Sequence, residues 1–189
     1  MVQVNSIKNK VQLMQIINKN EFWEWAFTDC LSNSLRGVLA EFIVGKAVQC
    51  LDKPRVQWDD FDLKTKDNIK IEVKSGAYVQ SWHFKESKPS QIKFDIASKK
   101  GWSSETRIRS KDGKRSANVY VFCILEEKNH ELVNPLDLDQ WFFIVLSTKI
   151  INESLGNQKS VSLARLENLG CIRLRYDTLA SEIDSVARE

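Results

Sequence analysis

At 189 residues, 42% hydrophobic and 28% charged, the chain is long enough to bury a core unaided and too mixed in composition for a disordered, collagen-like or disulfide-stapled protein. No apolar run approaches the ~18 residues of a membrane span, and the N-terminal segment lacks the apolar stretch of a secretory signal, so one cytoplasmic domain over residues 1–189 and no membrane partner are expected. The net charge of +3 is unevenly placed: seven basic residues between Lys99 and Arg115 face only Glu105 and Asp112, a local +5 that leaves −2 elsewhere, the pattern of an anion-binding surface.

In chain order, Ile7 to Asn18 has helical apolar spacing. Leu31 to Leu51 reads as a longer helix, capped by Ser32 or Asn33 and ended by Asp52-Lys53-Pro54. The period then changes to alternation in Phe61-Asp62-Leu63 and in Ile69 to Lys74, with turn chemistry at Asp67-Asn68 between them. Ile92 to Ala97 is a candidate short strand, and the basic segment follows as a loop. Val119 to Leu125 and Trp141 to Leu146 are continuous apolar runs, as strands covered on both faces require. Asp137 and Asp139 shape a turn before the second run. Ser162 to Asn168, stopped by Gly170, and Thr178 to Val186 close the chain as helices. Helices, then strands, then a mixture imply an α/β or α+β sheet with helices packed on it. The cysteines (Cys30, Cys50, Cys123, Cys171) stand singly without a Cys-x-x-Cys pair, so reduced thiols rather than a zinc site are expected.

The hairpin carries the chemistry. Ile69, Ile71 and Val73 share one face, and Lys70, Glu72 and Lys74 the other, which is expected to face solvent. A two-residue turn would set Leu63 against Glu72 and mix the faces. A three-residue loop, Lys66-Asp67-Asn68, pairs Leu63 with Ile71, Phe61 with Val73 and Asp62 with Glu72, and places Asn68 at the left-handed position. Two carboxylates would then oppose at about 5 Å, a destabilising pair that a hard divalent cation relieves. In the preceding helix Glu41 lies on one stripe with Gly37 and Gly45. Each glycine costs about 1 kcal/mol inside a helix, so a close approach to that face is expected, with Glu41 reaching the same site.

Glu41 on a helix, Phe61-Asp62-Leu63 on a strand and Glu72-Val73-Lys74 on the next resembles the PD-(D/E)XK nuclease superfamily over roughly residues 31–80, with Phe61 standing where the motif has proline. The resemblance implies a restriction-endonuclease-like α/β fold, a central mixed β-sheet flanked by helices. It implies that Asp62 and Glu72 bind Mg²⁺ (Mn²⁺ substituting) with the Val73 carbonyl, that Lys74 orients or deprotonates the attacking water, and that Glu41 serves a second metal or a metal-bound water. Gln80 or Gln91 would be the supporting glutamine, with Tyr78 weaker still. The implied activity is phosphodiester hydrolysis by an endonuclease acting on DNA in bacterial restriction or defence, with no organic cofactor. The alternative is a non-catalytic nucleic-acid-binding protein that keeps the fold. A double-strand cut commonly needs two centres, hence a homodimer. Beside such a centre, Lys99, Lys100, Arg107, Arg109, Lys111, Lys114 and Arg115 read as phosphate contacts and Trp102 as a stacking or wedging side chain.

Overall fold

The Asn18 side chain accepts the N–H groups of Asn20 (2.9 Å) and Glu21 and so caps α1, Lys19–Ala26. In the computed structural model, which describes residues 16–188 apart from 58, 103–105, 107, 109 and 110, residues 16–18 are irregular. The helix expected over Ile7 to Asn18 is thus corrected at its end, and its residues 7–15 lie outside those described. The next helix, α2, runs Asn33–Ala47 with Ser32 as N-cap. It ends before the expected Leu51 because Gln49 takes φ +54°, a left-handed conformation that cannot continue a helix. The short β1 (Leu63–Lys64) and the longer β2 (Lys70–Ala77) follow, then β3 (Lys93–Asp95), β4 (Val119–Leu125), β5 (Trp141–Ser147), α3 (Thr148–Leu155), β6 (Ser160–Ser162), α4 (Leu163–Asn168) and α5 (Tyr176–Ala187). Asp137 caps a 3₁₀ turn before β5 by accepting the Asp139 N–H, the turn role expected of this pair. Gly170 at φ +82° stops α4 as expected. The four cysteines are free thiols.

The protein is α/β. A four-stranded sheet has the order β1-β2-β4-β5, with β2 and β4 parallel and the other neighbours antiparallel; β3 and β6 form a separate antiparallel ribbon. Alternation sorts the side chains to two cores. Ile71, Val73, Val121 and Phe143 face α2 and α5 through Val44 and Ile183. Tyr120, Phe122 and Ile144 face the β3–β6 ribbon and α3. Every residue of β4 and β5 is buried, which explains why these two runs lack polar alternation. Among the described residues no helix is long and apolar enough to cross a membrane.

Glu72 and Lys74 occupy the ribbon-facing side of β2, and Gly76 is the next residue on that side. A Cβ there would lie 2.7 Å from Ile92 Cγ2 and 3.1 Å from Phe94 Cε1. The ribbon therefore packs closely on β2 at Gly76, while Glu72 faces a cavity. Gly76→Ala is expected to cost about 1–3 kcal/mol through overpacking, read as a lower urea midpoint; an unchanged midpoint would contradict this packing.

Candidate active site

The hairpin forms with the three-residue loop. Leu63 pairs with Ile71 and Lys64 with Lys70, the Thr65 N–H donates to the Ile69 carbonyl at 3.0 Å, and Asn68 is left-handed at φ +64°. Beyond Leu63 the expected register fails. The Asp62 N–H donates to the Ile71 carbonyl at 3.0 Å, so Asp62 and Leu63 both sit against Ile71, as in a bulge. Asp62 does not pair with Glu72, nor Phe61 with Val73. The reason is the Asp62 side chain: its Oδ2 accepts the Val73 N–H at 2.7 Å, taking the place of a backbone carbonyl and ending the ladder.

The carboxylates nevertheless converge. Burial pushes the Asp62 carboxyl up to about 7, and the Glu72 charge adds to this; Glu41 raises it further, while the Val73 N–H and Lys74 pull the other way. Lys74 Nζ lies 2.5 Å from Glu72 Oε1, and Lys99 Nζ lies 3.8 Å from the same oxygen. The expectation of a solvent-facing Lys74 is corrected, because its side chain is only 15% exposed; the β3–β6 layer covers what sequence alternation alone suggested was a solvated face. Burial works against its charge, but Glu72, Asp62 and Asp95 outweigh that and raise its pKa. Tyr120 stands beside Glu72 in the parallel pair. Burial first, then the Glu72 charge, lifts its phenol pKa, keeping it a neutral O–H.

Glu41 is buried on α2 and both its oxygens are held by Arg55, whose Nη2 donates to Oε1 at 2.6 Å and whose Nε donates to Oε2. Arg55 was invisible in sequence; it sits in an irregular stretch with no period. The glycine argument holds in part: a Cβ on Gly45 would strike Leu51 Cδ2 at 2.4 Å, whereas Gly37 has nothing within 4 Å. What presses on this stripe is the returning chain.

Asp62, Glu72 and Tyr120 line a cavity of about 940 Å³ together with Asp59, Asp60, Lys99, Lys100, Trp102 and Lys114. The Asp60 Oδ1 atom is buried without a hydrogen-bond partner among the described residues. Among the described residues no three His, Cys, Asp or Glu side chains gather in a ready-made metal cage. Magnesium does not require one, since one or two carboxylates, waters and substrate phosphate commonly complete its shell. Two half-buried carboxyls held together against their own repulsion, with the Val73 carbonyl on the same strand edge as its N–H, fit a hard cation.

Lys99, Lys100 and Lys114 of the basic segment stand at the rim. The segment is closed at its base by reciprocal Lys99–Lys114 backbone bonds of 3.1 Å. Lys99, Lys100, Lys111 and Lys114 are exposed, and Trp102 is 38% exposed. Arg107 and Arg109 lie outside the described residues. Arg115 lines the cavity and is also anchored to the protein: its guanidinium donates to Ile96 O (2.8 Å), Asn152 Oδ1 (2.6 Å), Gly156 O (2.9 Å) and Gln158 O (3.1 Å). The supporting glutamines are not brought to the carboxylates by any hydrogen bond among the described residues. Gln80 accepts from Arg36 and donates to Ala77 O, Gln91 is exposed, and Tyr78 lies under Lys128.

A family model for bacteriophage T4 endonuclease IV matches residues 6–165, a span that includes Glu41, Asp62, Glu72, Lys74 and the whole basic segment. The chain belongs to the bacteriophage T4 endonuclease IV family. Among curated proteins, none matches it. Membership makes the chain a nuclease by family, and the match covers every element that builds the cavity of this endonuclease.

Proposed function

We propose that the protein is a magnesium-dependent endonuclease that hydrolyses phosphodiester bonds in DNA with a PD-(D/E)XK arrangement of residues. The observation that carries this is the convergence of Asp62 and Glu72 in one lysine-rimmed cavity, with Lys74 paired to Glu72. Asp62, Glu72 and the Val73 carbonyl would hold the cation. When bound, Mg²⁺ supplies charge neutralisation at the phosphate and a more acidic water. Lys74 Nζ, positioned by Glu72, donates a hydrogen bond to the attacking water or to a non-bridging oxygen as charge develops on the phosphate. Tyr120 stands beside Glu72 as a neutral phenol. Arg55 holds Glu41 in place at the edge of the site, and Glu41 in turn orients water around Asp62.

The lysines of the rim supply non-specific attraction for the phosphate backbone. Neutralising Lys111 and Lys114 together is expected to weaken DNA binding and reduce the slope of log K against log salt by roughly 0.9 per contact on duplex DNA. Arg115→Ala is expected instead to lower the melting temperature, with the salt slope held. A lysine pair without effect on the slope, or an Arg115→Ala variant that changes the slope alone, would reverse these assignments.

Plasmid DNA incubated with the purified protein in Mg²⁺ separates an enzyme from a non-catalytic nucleic-acid-binding module. Nicked and linear products that increase with time are expected; binding without any cut product would favour the module.

A further inference from the structure

Another cavity, of about 310 Å³, lies at the far end of β2, where Asn33, Arg36, Gly76, Gln80, Ser90 and Lys93 line it. Arg36 is the unusual member. It is 3% exposed, and its hydrogen bonds all go to neutral oxygens: Leu31 O at 2.8 Å, Gln80 Oε1 at 3.1 Å and Asn33 Oδ1 at 2.6 Å. Its Nε is buried with no partner among the described residues. A buried guanidinium without a carboxylate is costly, and burial lowers its pKa, with only the Asp29 charge opposing. The Asp29 carboxylate is itself engaged by the Leu31 and Ser32 N–H groups.

The N-terminus of α2 points the same way. Ser32 makes no side-chain cap bond, and the first turn holds no acidic residue, so the positive end of a 15-residue helix is not neutralised from within. The lining contains two cationic residues, Arg36 and Lys93, and no acidic one.

We propose that this cavity is an anion subsite for a backbone phosphate of the nucleic-acid substrate, at a linkage next to the one that is cut. The inference rests on the nuclease reading. From Lys74 to Gly76 the strand advances about 7 Å, a reach that one or two nucleotides span. Gln80 then has a clear task, since its amide bonds Ala77 O at 2.7 Å and its Oε1 fixes the Arg36 fork. The occupant offsets the Arg36 charge across the cavity wall and takes its direct contact from Lys93.

The test is a scan of single neutral methylphosphonate linkages through a DNA oligonucleotide, with binding measured in Ca²⁺ for wild type, Lys93→Ala and Arg36→Gln. Lys93 is exposed, so Lys93→Ala keeps the test available if Arg36→Gln fails to fold. In the wild type, one neutral linkage one or two nucleotides from the cut is expected to weaken binding about tenfold, and in Lys93→Ala that penalty is expected to shrink to less than about threefold. A wild type whose penalties all persist undiminished in Lys93→Ala overturns the subsite while leaving the nuclease reading intact. A wild type that neither binds nor cuts the unmodified oligonucleotide overturns both.

Discussion

Lys74→Ala is expected to reduce Mg²⁺-dependent DNA cleavage by at least about 10²-fold, the scale of losing one positioned charge-stabilising donor. Removal of the ammonium also leaves Glu72, among the described residues, with the more distant Lys99, at 3.8 Å, beside Asp62. Because Lys74 is mostly buried, the variant is expected to lose roughly 3 kcal/mol of stability in chelator, as when one partner of a buried ion pair is deleted. Cleavage is therefore compared well below the melting temperature of the variant, with circular dichroism as the check on folding. Lys74→Arg keeps the charge and should recover most of the stability. It should recover little of the cleavage, because a planar fork cannot occupy the position of a point-charge donor. A folded Lys74→Ala protein that cuts at the wild-type rate would remove Lys74 from the chemistry.

Asp62→Asn is expected to change both the pH dependence and the cation dependence of stability. The carboxyl titrates near 7 in the folded protein, above its usual 3.8, because it is buried and close to Glu72. The folded state therefore binds this proton more tightly than the unfolded chain. The resulting stability is fully present below about pH 4 and is lost as pH rises through 7, at about 1.4 kcal/mol for each pH unit crossed between the two values. In chelator the wild-type melting temperature should fall between pH 5 and pH 8, and Asp62→Asn should flatten that fall, since an amide keeps an oxygen for the Val73 N–H and has no proton to lose. At pH 8, divalent cation at a hundredfold excess over its Kd should restore about 2.7 kcal/mol to the wild type, and little to Asp62→Asn. A wild-type profile that is flat in pH and indifferent to millimolar Mg²⁺ would make these carboxylates structural.

The parts of the site legible in sequence were those fixed by local periodicity. Leu63 opposite Ile71 followed from face matching, and the left-handed Asn68 followed from the loop length that this matching demanded. The continuous apolar runs gave β4 and β5 because burial on both faces removes alternation. What failed did so where a side chain replaced a backbone partner. The Asp62 carboxylate captured the Val73 N–H and broke the ladder that its own position had suggested. Lys74 was expected in solvent because alternation says which residues share a face and not what covers that face; here the covering ribbon comes from residues 93–95 and 160–162, distant in sequence. Neither the Arg55 pairing with Glu41 nor the protein acceptors of Arg115 were legible in sequence, because long flexible side chains find acceptors through tertiary geometry. Arg115 reads in sequence as one more charge of a basic run, and the structure adds the four protein oxygens that hold it.

The most direct measurement is the single-turnover rate of DNA cleavage as Mg²⁺ is titrated into chelator-treated protein, with Asp62→Asn and wild type in parallel. The wild-type rate should rise from background to saturation and return to background on adding excess EDTA, while Asp62→Asn stays near background throughout. Cleavage by the wild type that persists undiminished in EDTA, or equal rates for the two proteins at every Mg²⁺ concentration, would contradict a cation-dependent centre at Asp62 and Glu72.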